Sequence, residues 1–286
     1  MTESNRTTLR AKALLGMVHV GALPGTPLSD ETVPMLARRA VAEATLLADC
    51  GFDGVILENM HDRPYLHGRQ QPQITAAMTR VAVEVAHAID LPLGIQVLSG
   101  GEHEALAIAQ AAEAQFIRCE NFVYAHVADE GLLAEAAAGQ LLRYRKAIGA
   151  EGSGGVRIMC DIKKKHASHA ITGDISIEEC AHTAEYFGAD GLIVTGGFTG
   201  SPTDPADVER VRAAVGVPVW VGSGVEPAQL GSLFACADAL IVGSWIKQEG
   251  LWSNGPDPRR CKELVAEAER VRGESTRCRQ GRVGSR

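Results

Sequence analysis

This sequence has no Cys-x-x-Cys pair, no uninterrupted apolar run approaching ~18 residues and no excess of positive charge, and each absence removes a class of protein. The seven cysteines, at positions 50, 119, 160, 180, 236, 261 and 278, are odd in number and scattered. They suggest neither a disulfide framework nor a zinc knuckle, and they fit a reducing cytoplasm. Met1 to Arg10 is polar and no later stretch is apolar for long enough. Neither a signal peptide nor a membrane span is expected, so any membrane contact would be peripheral. The formal charge of −7 argues against nucleic acid as a partner, because phosphate backbones are bound through clustered Lys and Arg. The turn after the first apolar run also lacks the Gly-x-Gly-x-x-Gly fingerprint. It reads Val20-Gly21-Ala22-Leu23-Pro24-Gly25, with proline where a helix should begin, which disfavours a dinucleotide cofactor.

What is present is an alternation. Runs rich in Val, Ile and Leu recur between longer Ala-rich stretches, the pattern of a parallel sheet wound with helices. The strand candidates are Leu14 to His19, Gly54 to Glu58, Leu93 to Leu98, Phe116 to Cys119, Val156 to Ile162, Gly191 to Thr195, Pro218 to Gly222 and Ala239 to Gly243. Helices are expected at 32–49, 73–89, 102–113, 132–148, 177–187, 205–214, 226–234 and 257–271. Ser176 before Ile177-Glu178-Glu179 has capping-box spacing, and Asp204-Pro205 supplies a cap followed by a first-turn proline. Eight βα units fit a closed (β/α)8, or TIM, barrel better than an open sheet. The expected layout is a flexible start at 1–12, one barrel over 13–271, and a disordered basic tail at 272–286 with five arginines and one glutamate.

In such barrels ligands sit at the carboxyl ends of the strands, and phosphate is frequently held after strands seven and eight. Strand seven here runs into Gly222-Ser223-Gly224 and strand eight into Gly243-Ser244. Glycines let consecutive backbone N–H groups approach an anion, and the serine hydroxyls can donate as well. The loop after strand six, with Gly196 and Gly197, could close the same pocket or act as a lid.

Side chains alternate along a strand, and a barrel's outward face packs on helices, so charges inside strands point inward. This places His19, Glu58, Gln96, Arg118, Glu120, Asp161, Lys163 and Thr195 at or near the carboxyl ends. Asp161 and Lys163, two apart, suit proton transfer or Schiff-base chemistry, or else a structural ion pair. Glu58 and Glu120 can act as acid or base, can hold Mg²⁺ against a phosphate, or can balance Arg118 and Lys163. His19 suits proton transfer or ligand contact, and Lys164 and Lys165 are expected in solvent. Asn59, Gln96, Arg118, Asn121 and Thr195 complete a substrate-binding set. No cofactor and no metal ligand are assigned. His166 and His169 have zinc-like spacing but no third ligand in sequence, so they are expected as solvated loop residues.

Several segments resemble the BtpA family: Gly16-Met17-Val18-His19-Val20-Gly21-Ala22-Leu23-Pro24-Gly25, Gly54-Val55-Ile56-Leu57-Glu58-Asn59-Met60, Phe116-Ile117-Arg118-Cys119-Glu120-Asn121, Asp161-Ile162-Lys163-Lys164-Lys165-His166 and Val219-Trp220-Val221-Gly222-Ser223-Gly224. The resemblance covers about residues 12–270. It implies a barrel, in a family named for a cyanobacterial thylakoid-associated protein needed for photosystem I, with SgcQ-like relatives encoded beside sugar-phosphate genes. It carries over no catalytic residue. Two functions stay open. One is an enzyme acting on a phosphorylated sugar or nucleotide-like ligand by proton transfer, lyase or aldolase chemistry, or glycosidic cleavage. The other is a non-catalytic biogenesis or stability factor, peripheral to membranes in photosynthetic relatives. Homo-oligomerisation is left open by both.

Overall fold

The computed structural model describes residues 9–199 and 201–283. Eight parallel strands, β1 (Ala13–His19), β2 (Gly54–Glu58), β3 (Leu93–Gln96), β4 (Phe116–Cys119), β5 (Arg157–Ile162), β6 (Gly191–Val194), β7 (Val219–Val221) and β8 (Ala239–Val242), close into a barrel. The closure is made by β1, where Gly16 is in register with Val55 on one side and Val242 on the other. The helices are α1 (Val33–Cys50), α2 (Pro72–Ala88), α3 (Glu102–Ala111), α4 (Ala138–Ala147), α5 (Ile177–Tyr186), α6 (Pro205–Ala214), α7 (Leu230–Cys236) and α8 (Pro258–Val283). Ser176 forms the expected capping box with Glu179, and Asp204 caps α6 by accepting from the Ala206 N–H.

The alternation within strands sorts the core into two apolar layers. Outward residues such as Leu14, Val55, Ile95 and Ile117 pack on the helices with Ala37, Ala44, Val81 and Leu106. Inward residues, among them Leu15, Met17, Ile56, Phe116, Met159, Ile193, Trp220 and Ile241, plug the barrel interior. Phe116 meets Trp220 edge-on, with ring centroids 5.2 Å apart. Gly94 makes room for this plug, since a Cβ there would lie 2.2 Å from the Phe116 ring. Above this apolar plug, at the carboxyl ends of the strands, stand the polar residues His19, Glu58, Gln96, Arg118 and Asp161.

Three expectations need correction. Residues 132–137 are not helical: His126–Ala128 and Gly131–Leu133 form a hairpin through Gly131, at φ 113°, and Ala167–Ser168 adds a third antiparallel strand. Helix α8 does not stop at 271 but continues to Val283, through most of the segment expected to be disordered, with 284–286 outside the described residues. Arg272 anchors it, donating to the Lys12 carbonyl at 3.0 Å and meeting the Asp53 carboxylate at 2.6 Å. The expected flexible start is partly ordered too: Leu9 packs against the inner core and Arg10 pairs with Glu269 at 2.9 Å, while residues 1–8 lie outside the description. Among the described residues, no helix is long and apolar enough to cross a membrane.

Candidate active site

At the carboxyl end of the barrel lies a cavity of about 510 Å³. Its wall takes His19 from β1, Glu58 from β2, Arg118 from β4 and Glu120 just beyond it, Lys164 and Lys165 from beyond β5, Gly222 to Gly224 from beyond β7, and Gly243 and Ser244 from beyond β8. Trp252, in the segment between β8 and α8, lies against it. The Trp252 indole packs on the His61 ring at 5.0 Å, and the Arg63 guanidinium sits 4.8 Å from its centroid, a cation–π contact.

The charges in the wall are paired in a definite order. Arg118 donates two hydrogen bonds to Asp161, of 2.9 and 3.0 Å, with both residues buried. Nearby carboxylates keep the guanidinium firmly charged, while burial pushes the Asp161 carboxyl up against the pull of Arg118. Lys164 meets Glu120 at 3.3 Å, and Gln96 donates to the other oxygen of that carboxylate at 3.3 Å. The lysine and arginine hold Glu120 below the ordinary carboxylate range despite its burial.

His19 and Glu58 behave differently. The Trp252 carbonyl lies 2.7 Å from Nδ1 of His19, and because a carbonyl only accepts, that nitrogen carries the hydrogen. Nε2 is then the basic nitrogen, 3.5 Å from a Glu58 carboxyl oxygen. Burial lowers the imidazole well below its usual value, helped by Lys247, while burial raises Glu58. Both shifts favour the neutral form, which sets a carboxylic acid beside a basic imidazole nitrogen in one wall, the two parts that general acid–base catalysis uses.

The glycine loops present another kind of group. Gly222 donates its N–H to the Val194 carbonyl at 2.9 Å as the last rung of the barrel. Among the described residues, the N–H groups of Gly224, Val225, Gly243 and Ser244 have no hydrogen-bond partner in the protein, and all four residues line the cavity. Backbone donors clustered in this way suit an anion.

The family model described as BtpA family matches residues 10–270. The chain belongs to the BtpA family. A mitochondrial protein of Caenorhabditis elegans is 41% identical over 259 residues, covering 88% of this chain and 91% of that protein. The photosystem I biogenesis protein BtpA of Synechocystis is 36% identical over 253 residues, covering 88% and 86%. Among solved structures, the (S)-3-O-geranylgeranylglyceryl phosphate synthase of Thermoplasma acidophilum, in complex with its substrate sn-glycerol-1-phosphate, superposes with a TM-score of 0.55 at 16% identity, covering 90% of this chain and 93% of that one. At that identity the likeness establishes the shared TIM-barrel fold.

The BtpA-family cavity gathers His19, Glu58, Arg118, Glu120, Gly222, Ser223, Gly224, Gly243 and Ser244 from the expected set, and Asp161 reaches it through Arg118. Other members of the set stand elsewhere. Lys163 points away from the cavity: it follows the end of β5 at φ 45°, and its ammonium donates to the Thr172 carbonyl at 3.4 Å. That left-handed residue breaks the strand alternation, so Lys164 and Lys165, expected in solvent, are the lysines that enter. Asn59 is fully buried, accepting from the Leu98 N–H at 2.6 Å and donating to Asp62 and to the Leu98 carbonyl, which makes it a tie between the ends of β2 and β3. From its loop, Arg63 and Tyr65 reach the cavity instead.

Asn121 donates to the Glu135 carbonyl at 2.8 Å and fixes the loop before α4. Gln96 supports Glu120 from outside the wall, and Thr195 accepts the Lys165 N–H at 3.0 Å. Gly196 donates to the Ser223 hydroxyl at 2.6 Å, and the Gly197 carbonyl accepts from the His166 N–H at 3.1 Å. Both glycines therefore stitch loops together rather than facing the cavity, and the Ser223 hydroxyl, which also donates to the Ser201 carbonyl at 3.3 Å, is already occupied. His166 does reach the wall, held by the Thr199 N–H at 3.0 Å. Among the described residues, no group of three or more His, Cys, Asp or Glu is placed to hold a metal ion.

Proposed function

We infer that this BtpA-family barrel is an enzyme acting on a phosphorylated small molecule by proton transfer. The observation that carries this reading is one cavity with unpartnered backbone N–H groups at Gly224, Val225, Gly243 and Ser244 and a neutral-leaning acid–base pair, His19 and Glu58. In this reading the phosphate sits at the glycine loops. Nε2 of His19 accepts a proton from the substrate, the neutral Glu58 carboxyl donates its own proton to the substrate, the imidazolium then returns a proton to the Glu58 carboxylate, and Arg118 stabilises negative charge that develops in between. The phosphate-ester substrate of the Thermoplasma synthase, a barrel of the same fold, supports the choice of ligand class.

Thermal denaturation in the presence of inorganic phosphate, sugar phosphates and the matching unphosphorylated sugars tests this. A phosphate ester at a hundred times its Kd should stabilise the protein by about 2.7 kcal/mol. Equal responses to phosphorylated and unphosphorylated sugars, or no response to any phosphate, would overturn it.

A further inference from the structure

The acid–base reading leaves one group in the cavity unused. Three lysines follow β5 in succession, and the structure gives each a different surrounding. Lys163 is spent on the Thr172 carbonyl and Lys164 on Glu120. Lys165 lines the cavity, partly buried, and among the described residues no ion pair or hydrogen bond holds its ammonium. Its backbone is fixed, with its N–H donating to Thr195 Oγ1 at the end of β6, so the side chain leaves an anchored point.

Charged groups from three strands act on it: Glu58 of β2, Arg118 and Glu120 at the end of β4, and Asp161 of β5. The carboxylates favour the ammonium, but Asp161 is engaged by Arg118 and Glu120 by Lys164. Burial and the Arg118 guanidinium prevail and hold Lys165 below the ordinary lysine range. An amine that is lowered, unpaired and facing a cavity serves as a nucleophile.

We propose that Lys165 forms an imine with the carbonyl carbon of the substrate, which narrows the phosphorylated ligand to an aldehyde or ketone. This inference rests on the phosphate-site reading and adds a covalent step to it. The neutral Nζ attacks the carbonyl carbon, and one amine proton passes to the oxygen to give a carbinolamine. The carbinolamine hydroxyl takes a proton from neutral Glu58 and leaves as water, giving a protonated imine and the Glu58 carboxylate. The iminium then draws the electron pair of an adjacent C–H bond as His19 Nε2 accepts that proton, giving an enamine. Reprotonation and addition of water reverse the sequence and return Lys165 free.

Pyridoxal 5′-phosphate, which carries both an aldehyde and a phosphate, is the probe. The full chain is mixed with one equivalent, reduced with borohydride, digested and mapped by mass spectrometry. Lys165 should carry most of the label and react faster than exposed Lys146 and Lys262, since a lowered amine is neutral in a larger fraction of molecules. Inorganic phosphate should slow the labelling, Lys165→Arg should abolish it, and Lys163→Gln should leave it unchanged. Label spread evenly over the exposed lysines, or concentrated on Lys164, overturns the proposal, and the map of the unaltered protein decides this even where a variant fails to fold.

Two further outcomes separate this step from the reading beneath it. Stabilisation by phosphate esters without labelling of Lys165 removes the imine and leaves the phosphate site. Labelling of Lys165 as fast by pyridoxal as by its phosphate keeps the imine and removes the phosphate site.

Discussion

Arg118 and Asp161 face each other across neighbouring strands, with two hydrogen bonds of 2.9 and 3.0 Å joining guanidinium to carboxylate at the cavity wall. Replacing Asp161 with Asn leaves a buried guanidinium without its counter-charge. Urea denaturation should show a loss of about 3–5 kcal/mol, the usual scale for breaking a buried pair from one side. The double variant Arg118→Met with Asp161→Asn should recover part of that loss. A loss below ~1 kcal/mol in the single variant would mean that the pair is solvated, as surface pairs are.

Glu102 opens α3, fully buried, with one carboxyl oxygen 3.3 Å from the Asn121 N–H. Burial raises its pKa from the ordinary 4.5 to about 7. Above about pH 4.5 the unfolded chain loses this proton while the folded chain keeps it, so stability should fall as pH rises through this window and level off above about 7. Glu102→Gln keeps the acceptor oxygen and removes the titration. It should match the parent at pH 4 and exceed it at pH 8 by something on the order of 3 kcal/mol. A parent and variant with parallel stability curves over that range would show that Glu102 titrates normally.

Two glycines in the cavity wall separate binding from folding. At Gly224, φ is 64° and an added Cβ would sit 2.2 Å from the Ser201 carbonyl oxygen. Gly224→Ala should cost about 1–3 kcal/mol of stability, the range for a strained backbone position. At Gly243 the nearest atoms to an added Cβ are those of the His19 ring at 3.6 Å, an ordinary contact. Gly243→Ala should change stability by less than ~1 kcal/mol while weakening phosphate binding about tenfold, read by calorimetric titration. Unchanged phosphate affinity in a folded Gly243→Ala protein would place the anion elsewhere.

Asn59 makes the opposite case. Asn59→Ala leaves the buried Leu98 N–H without its acceptor and Asp62 without one of its donors. Stability should fall by about 1–3 kcal/mol for each such group, with phosphate affinity of the folded fraction unchanged in the same titration. Loss of affinity without loss of stability would restore Asn59 as a ligand residue.

Where regular alternation operates, the sequence was readable. His19, Glu58, Arg118 and Asp161 each lie on a strand whose inward parity is set by apolar neighbours such as Met17, Ile56, Phe116 and Met159, and all four project from the inner face. Glycines 222, 224 and 243 followed from strand ends in the same way. Legibility stopped where strands stopped. Nothing local reveals that Asn59 would meet Leu98, 39 residues on, or that the Ser223 hydroxyl would be taken by Gly196. Trp252 was equally hidden, because a tryptophan between the last strand and the last helix carries no signal until His61 and Arg63 are seen against it. Lys165 left one trace, a run of three lysines behind a strand, which gives the residue type and not the one that enters the cavity.

The left-handed turn at Lys163 therefore acts as a phase shifter. Three identical side chains pass through it and come out with different jobs: one against a carbonyl, one in an ion pair and one in an open cavity. Identity at these positions is set by count from Ile162 rather than by chemistry. A single-residue insertion or deletion there would keep the composition intact and hand each ammonium the surroundings of its neighbour. Chains aligned across this point with a one-residue gap should thus be compared by the lysine whose backbone N–H is anchored on Thr195, and not by the one that falls in the same column.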